Sequence, residues 1–416
     1  MKTEVLYYLE PMVEADYPYM KYVNLKNQLR PHINAMLRSG DFNVSVICSD
    51  ITKGRYSKDK LKDEFNIYEI EYAELNDRYP SHINYSSMWK FENYKEEDYL
   101  FISEKIRNSL PEKYSPRVII SFLSFVPYLK KMYPNALILN MEYGIFSREP
   151  YPKTYHLDKD GLMEFAYTNK LGTLPDLSKS EMELVEIIKG KKERTEKISD
   201  IFLKKIKKEG FKSSILLPLQ FSNYHAFDLC CNFSSQYTYL ENVLRSVPSD
   251  IAVIVTQHPG WKDAISAKNI SYLNDKYSNF IFDSSINSQA NVSQSLLKYV
   301  DGVVTVSSSI GLQALIYDLP IYVFGNSHIS FASEENIEDF TRKVIKKEKV
   351  NRDKQIFNLM TRYYIPDVYL SDSYWVSNYL HQMILNDQES NSCSYPQIDS
   401  LENLKLFYLS SGSKVI

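Results

Sequence analysis

Cysteine is scarce in this chain, four in 416 residues with two of them adjacent at Cys230 and Cys231. That excludes a disulfide framework and a spaced zinc pattern and points to a reducing, cytoplasmic setting. A surplus of positive charge is also missing. Forty-nine Lys and Arg stand against 52 Asp and Glu, for a net charge of −3, and a dedicated nucleic-acid binder would show its basic face in that balance. No apolar run approaches the roughly 20 residues of a membrane span. The opening MKTEVLYYLEPM carries acids in its apolar run, which is not a signal-peptide pattern. Glycine is sparse as well, at 12 residues.

What is present is an apolar content of 44% and an abundance of tyrosine, 34 residues. The first is that of a globular protein. The second suits sugar binding, since a phenol offers a stacking face and a hydroxyl. A length of 416 residues exceeds one ordinary core, so two domains are expected.

The most informative stretch is Tyr299 to Gly325, YVDGVVTVSSSIGLQALIYDLPIYVFG. It predicts a strand (Val303 to Val306), a turn of three serines, a helix (Ile310 to Tyr317) and a second strand (Ile321 to Phe324). That is a βαβ unit of a parallel sheet, and such sheets bind ligands at the carboxyl ends of their strands, where Ser307, Ser308 and Ser309 fall. Backbone N–H groups and the positive end of the helix dipole make the turn a candidate phosphate site. Serine is also an ordinary helix cap.

Elsewhere the periodicity predicts strands at Glu4 to Leu9, Val44 to Cys48, Val118 to Phe122 and Ala136 to Asn140, with helices at Tyr22 to Ser39 and Tyr99 to Leu110. Residues 50 to 96 read as insertion and loop. Leu177 to Lys212 reads as amphipathic helix leading between domains, with a solvated charged face. Strands at Ser214 to Leu219, Ile251 to Thr256 and Phe280 to Phe282 build a second α/β domain, with helices at 240–247, 293–300, 335–347 and 374–386. The expected domains are 1–176, a helical linker 177–212, 213–385, and a tail or linker 386–416.

Several side chains sit where such domains place chemistry. IAVIVTQHPG runs from a buried strand into His258, held at the strand exit by Pro259, where it can donate to a phosphate oxygen. LLPLQFSNYHAFDLCCNF places Gln220 and Asp228 after another strand. Asp228, among apolar and thiol neighbours, is either a helix cap or a carboxylate set for catalysis. Glu142 of Glu142-Tyr143-Gly144 leaves a strand of the first domain, and the plainer reading pairs it with Arg148. Asp158-Lys159-Asp160 has the form of a metal-holding triplet without a preceding apolar strand, so no essential metal is expected.

Glu142-Tyr143-Gly144, the Gln220 to Asp228 stretch, His258-Pro259 and Val304 to Gly311, closed by Pro320 and Phe324-Gly325, together resemble the bacterial β-Kdo glycosyltransferases of capsule and lipopolysaccharide assembly. Their order and spacing span most of the chain, most densely from 214 to 325. The resemblance implies a GT-B-like α/β fold, two Rossmann-type domains with parallel sheets facing across a cleft, a plan shared with epimerases and periplasmic binding proteins. It implies a CMP-β-Kdo donor bound by Ser307, Ser308, Ser309, Gln220, Pro259 and Gly311. His258 would assist departure of CMP, Asp228 would attack the anomeric carbon, and Glu142 would act as acid/base on the acceptor. No cofactor besides the donor is implied. The acceptor would be a glycan, lipid-linked, with the enzyme in the cytoplasm or at the cytoplasmic face of the inner membrane. Tyr143 departs from the pattern, since capsule enzymes tend to carry a second acid there. Two alternatives stand beside this reading: an inverting CMP-sialic acid transferase with Glu142 as base, and a nonenzymatic glycan- or nucleotide-binding protein.

Overall fold

A computed structural model describes residues 2–61, 64–146, 149–194, 198–208, 210–258, 264–388 and 395–411. Two compact α/β units result.

The first unit comprises Met1–Tyr143, Thr154–Leu162 and Arg362–Ile398. Its strands are β1 (Thr3–Tyr8), β2 (Phe42–Ser49), β3 (Asn66–Ile70), β4 (Val118–Phe122), β5 (Leu137–Tyr143) and β6 (Thr154–Asp158), and a late segment adds a seventh at the β6 edge. From β5 through β4, β1 and β2 to β3 the neighbours are parallel, while β6 runs antiparallel to β5. Apolar runs such as VIISF in β4 are buried throughout, as strands covered on both faces must be.

The second unit comprises Gly144–Lys153, Met163–Thr361 and Asp399–Ile416. Its strands β7 (Ser213–Pro218), β8 (Ile251–Thr256), β9 (Phe280–Ile281), β10 (Gly302–Thr305) and β11 (Ile321–Val323) form one parallel sheet in the order β11-β10-β7-β8-β9. The last strand of the chain, β12 (Ile365–Pro366), pairs with β6 in the first sheet. The two-unit, parallel-sheet α/β class expected from the sequence is the one observed.

The boundaries differ from the expected 1–176, 177–212, 213–385 and 386–416. Residues 144–153 and 163–176 pack with the second unit, and 362–398 return to the first. Helix Lys179–Gly190 does not bridge domains. Its apolar face (Leu184, Val185, Ile188) is buried in the second unit, and Lys189 pairs there with Asp318 at 2.7 Å and Asp353 at 2.5 Å. Nor is 386–416 wholly irregular, because Leu401–Ser410 is a helix with Leu404 and Tyr408 buried. Short polar-flanked elements account for the rest. Within 50–96 lie helices Asp50–Lys58, Tyr72–Arg78 and His82–Lys90 as well as β3. They are held by aromatic packing, such as Trp89 against Tyr128 at 4.7 Å, which periodicity does not register.

Gly325, after β11, has φ +115, and a Cβ there would run into the carbonyl oxygen of Cys230. Asn326 N–H donates to that same carbonyl at 2.8 Å. The turn after β11 is thereby pressed onto the segment that follows Asp228. Gly325→Ala is expected to lower unfolding free energy by about 3 kcal/mol or more. Gly172→Ala, at an exposed glycine with nothing within 4 Å, should stay within about 1 kcal/mol of wild type. Urea denaturation followed by circular dichroism measures both.

Candidate functional site

In the second unit the three central strands β10, β7 and β8 lie side by side and parallel. Their carboxyl ends carry, in that order, the serine turn, Gln220 and His258. Such strand ends are where parallel sheets bind ligands.

Gln220 ties two of these exits together. Its side-chain amide donates to Ser307 Oγ at 2.8 Å, and its carbonyl oxygen accepts the Ser307 N–H at 3.1 Å. The Gln220 N–H donates in turn to Gln236 Oε1 at 3.1 Å. The Ser307 hydroxyl donates to the carbonyl of Ala226, so the short helix His225–Asp228 is fastened to the serine turn. Buried Ser307 therefore spends both its N–H and its hydroxyl on the protein. Ser307 and Gln220, expected to hold phosphate, are joined by mutual hydrogen bonds that define the turn.

Ser308 is the N-cap of helix Ser309–Ala314, accepting from Ile310 N–H at 3.4 Å, and its own N–H donates to Thr305 Oγ1 at 3.0 Å. Ser308 and Ser309 are partly exposed at the head of that helix. Gly311 is buried, its N–H donates to Ser308 O at 2.8 Å, and a Cβ would approach Thr305 Cγ2 to 2.9 Å. Close packing of helix on strand requires glycine there.

His258 leaves β8 with its ring 4.2 Å from that of Phe221, the neighbour of Gln220. Behind it, Gln257 N–H donates to Asn287 Oδ1 at 2.8 Å, and Asn287 Nδ2 donates to Val255 O at 3.2 Å. The exit of β8 is thus stapled from outside the strand. Pro259, expected to bind donor, lies outside the described residues. Asp228 accepts the Tyr224 N–H at 3.1 Å, so it does cap its own helix, and it is partly exposed while doing so.

Glu142 belongs to the first unit, on the last turnings of β5 and opposite His156 of β6 in register. Its carboxyl is pushed up to about 7 by desolvation, with Lys21 pulling in the other direction. Arg148, the alternative partner, is outside the described residues. Asp158, discounted for want of a strand, in fact ends the buried strand β6. It accepts from Tyr395 OH at 3.0 Å, Tyr363 OH at 2.5 Å and Asp160 N–H at 2.7 Å, the bonding of a structural carboxylate. Among the described residues no group of three or more His, Cys, Asp or Glu is arranged to hold a metal ion.

Sequence reasoning missed a second set at the carboxyl ends of the first sheet. Glu10, just after β1, accepts from Met12 N–H at 3.2 Å, from Tyr8 OH at 3.5 Å and from Tyr128 OH. Glu14 accepts from Thr52 Oγ1 at 2.8 Å and Tyr19 N–H at 2.6 Å. Lys21 is buried beside them, and burial pushes it down to about 8. An acid directly after the first strand was a readable signal for Glu10. Nothing local marked Lys21.

These features define a two-unit α/β protein whose second sheet carries polar side chains at its strand exits. The model of the capsule polysaccharide biosynthesis protein family matches residues 157–375, more than half of the chain. The chain belongs to that family, which bears out the capsule resemblance seen in its motifs. No curated protein sequence matches significantly. Among solved structures, the β-Kdo 2,7 transferase of Thermosulfurimonas dismutans KpsC is 13% identical with a TM-score of 0.36, over 64% of this chain and 81% of that one. The β-Kdo 2,4 transferase of the same protein is 12% identical with a TM-score of 0.37, over 58% and 78%. A UDP-GlcNAc 2-epimerase from Methanocaldococcus jannaschii reaches 13% and 0.37 over 91% and 100%. Likenesses at this level do not discriminate among activities. Among the described residues no helix is long and apolar enough to cross a membrane.

A carboxyl whose folded pKa lies above its unfolded value favours the fold at low pH and loses that contribution as pH rises through the folded value. For Glu142 the window runs from its ordinary value of 4.5 to about 7. Glu142→Gln is therefore expected to leave stability unchanged near pH 4 and to raise it progressively toward pH 7, by on the order of 3 kcal/mol. Urea unfolding curves across that range give the slope and its sign.

Proposed function

We propose that the protein is a glycosyltransferase of capsule assembly that moves Kdo from CMP-β-Kdo to a growing, lipid-linked surface glycan with retention of configuration. The observation that carries this reading is the alignment of the serine turn, the Gln220 to Asp228 segment and His258 on three adjacent parallel strand ends, in a chain of the capsule family.

Kdo is a 2-keto acid, so its anomeric carbon, C2, is fully substituted and departure of CMP leaves an oxocarbenium-like centre. Leaving requires that the phosphate's growing charge be met. Ser308, Ser309 and the helix N–H groups meet it from one strand and His258 donates from another, without reorganisation of solvent. Asp228 then supplies an oxygen to C2 as the C2–O bond to phosphate breaks, and CMP departs with the bonding electrons. In the second displacement the acceptor hydroxyl attacks C2, Glu142 takes its proton, and the Asp228 ester bond breaks. Two inversions give retention. A carboxyl of pKa near 7 suits Glu142 to exchange protons at neutral pH.

A second reading is favoured by one observation: Asp228 already accepts the Tyr224 N–H. If that is its whole role, the transfer is a single displacement with Glu142 as base, inverting, and CMP-sialic acid becomes the competing donor. NMR of the product from each donor gives linkage and anomeric configuration together. Retention, with a Kdo adduct on the protein detectable by intact mass and lost in Asp228→Asn, is expected. Full transfer by Asp228→Asn would overturn the double displacement.

The serines separate by role. Ser308→Ala is expected to weaken CMP binding roughly tenfold with little change in stability. Ser307→Ala, which orphans Gln220 and Ala226 O, should instead cost about 1–3 kcal/mol of stability. His258→Ala should lower kcat about 10²- to 10³-fold. Calorimetric titration with CMP, denaturation and steady-state transfer assays measure these in turn.

A further inference from the structure

Lys21 sits on helix Met20–Asn24 with 1% of its surface exposed. Its ammonium donates to the carbonyl of Phe122, the last residue of β4, and to Ser124 Oγ at 3.1 Å, and it lies 5.8 Å from the centre of the Phe122 ring. Ser124 Oγ in turn donates to the same carbonyl at 3.3 Å. Both of these acceptors are neutral. A buried ammonium held by neutral oxygens has no close counter-charge among the described residues; burial lowers it to about 8 and also makes its charge felt strongly by more distant carboxylates.

The partners are carboxylates. Phe122 stands opposite Met141 in the β4–β5 register, and Leu123 N–H donates to Met141 O at 3.0 Å. That puts the Lys21 anchor beside the residue preceding Glu142. Glu10, Glu14 and Glu142 all act electrostatically on Lys21. Three acids share one cation, and they do not share it on equal terms. Glu14 is held by two hydroxyls and an amide, and Glu10 by two phenols and an amide. Among the described residues, Lys21 is the group that lowers the pKa of Glu142. The other titratable groups around it are Tyr143 on its own strand, His156 opposite on β6 and Tyr364 from the returning segment. His82, near Lys21, is pushed down to about 3 by burial and by the ammonium, and so stays neutral.

We propose that Lys21 is a positioning residue for transfer: fixed by Phe122 and Ser124, its charge holds Glu142 in the ionised form that removes the acceptor's proton, in competition with Glu14. This rests on the reading of Glu142 as the base of the proposed reaction. Proton release by Glu142 sets the rise of kcat/KM with pH, and removing a cation from its surroundings moves that rise to higher pH.

The test is the pH profile of kcat/KM for Kdo transfer in wild type, Lys21→Met, Lys21→Arg and Glu14→Gln, together with a stability cycle. In Lys21→Met the ascending limb is expected to move up by about one pH unit or more, with activity largely recovered at pH 9. Lys21→Arg should keep the limb near the wild-type position. Glu14→Gln, which removes a competitor without touching Lys21 or Glu142, should move it down by a few tenths of a unit. It serves as the readout if Lys21→Met does not fold. An unmoved limb in folded Lys21→Met, or in Glu14→Gln where Lys21→Met does not fold, would sink the proposal. Urea unfolding of Lys21→Met, Glu142→Gln and the double variant at pH 8 supplies a readout independent of catalysis, and non-additive stabilities are expected. Additive stabilities with an active, Glu142-dependent enzyme overturn the role of Lys21 alone. Coupled stabilities with full activity in Glu142→Gln overturn instead the reading of Glu142 as base.

Discussion

The two-point clasp between Gln220 and Ser307 is the interaction on which the second unit's functional edge depends. In a parallel sheet every strand leaves at the same edge, and each exit has run out of ladder partners for its backbone groups. One side-chain amide here satisfies the Ser307 N–H beyond β10 and bonds the hydroxyl beside it. That hydroxyl then reaches the carbonyl of Ala226 and fixes the helix that carries Asp228. Serine turn, aspartate helix and, through Phe221, the histidine at the end of β8 are consequences of one clasp. The groups left facing outward, Ser308 and Ser309, are the ones whose own geometry that clasp has already settled.

The first unit solves a different problem. Its strand ends gather Glu10, Glu14, Glu142 and the buried Lys21. Neutral oxygens hold the lysine, and hydroxyls and amides hold two of the acids. Desolvation lifts the Glu142 carboxyl to about 7, a range in which a carboxyl exchanges protons near neutrality. Such an arrangement lowers the stability of the fold as pH rises toward neutrality.

Several elements were legible because they rest on local patterns. The apolar runs of β4 and β8 were expected at the residues where they occur, Val118–Phe122 and Ile251–Thr256. Strand, serine turn and helix around residue 307 followed from spacing and capping chemistry. Residues 50–96 were not legible, because their short helices are held by aromatic contacts rather than by an amphipathic period. β6 escaped notice because its sequence, TYHLD, alternates no apolar face; partners from a segment two hundred residues later bury it. For the same reason Asp158 looked like an isolated triplet acid.

The order of chemistry-bearing motifs, the α/β class and the placing of His258 and the serines at strand exits were determined by the sequence alone, since periodicity and turn chemistry act over a few residues. Only the tertiary structure decided which polar groups are consumed by the fold. Ser307 and Gln220 bond to each other and Gly311 packs on Thr305, and Lys21, which no local pattern marked, is buried. Hydrogen-bond satisfaction and desolvation depend on what the rest of the chain brings within a few ångströms, and no local pattern carries that information.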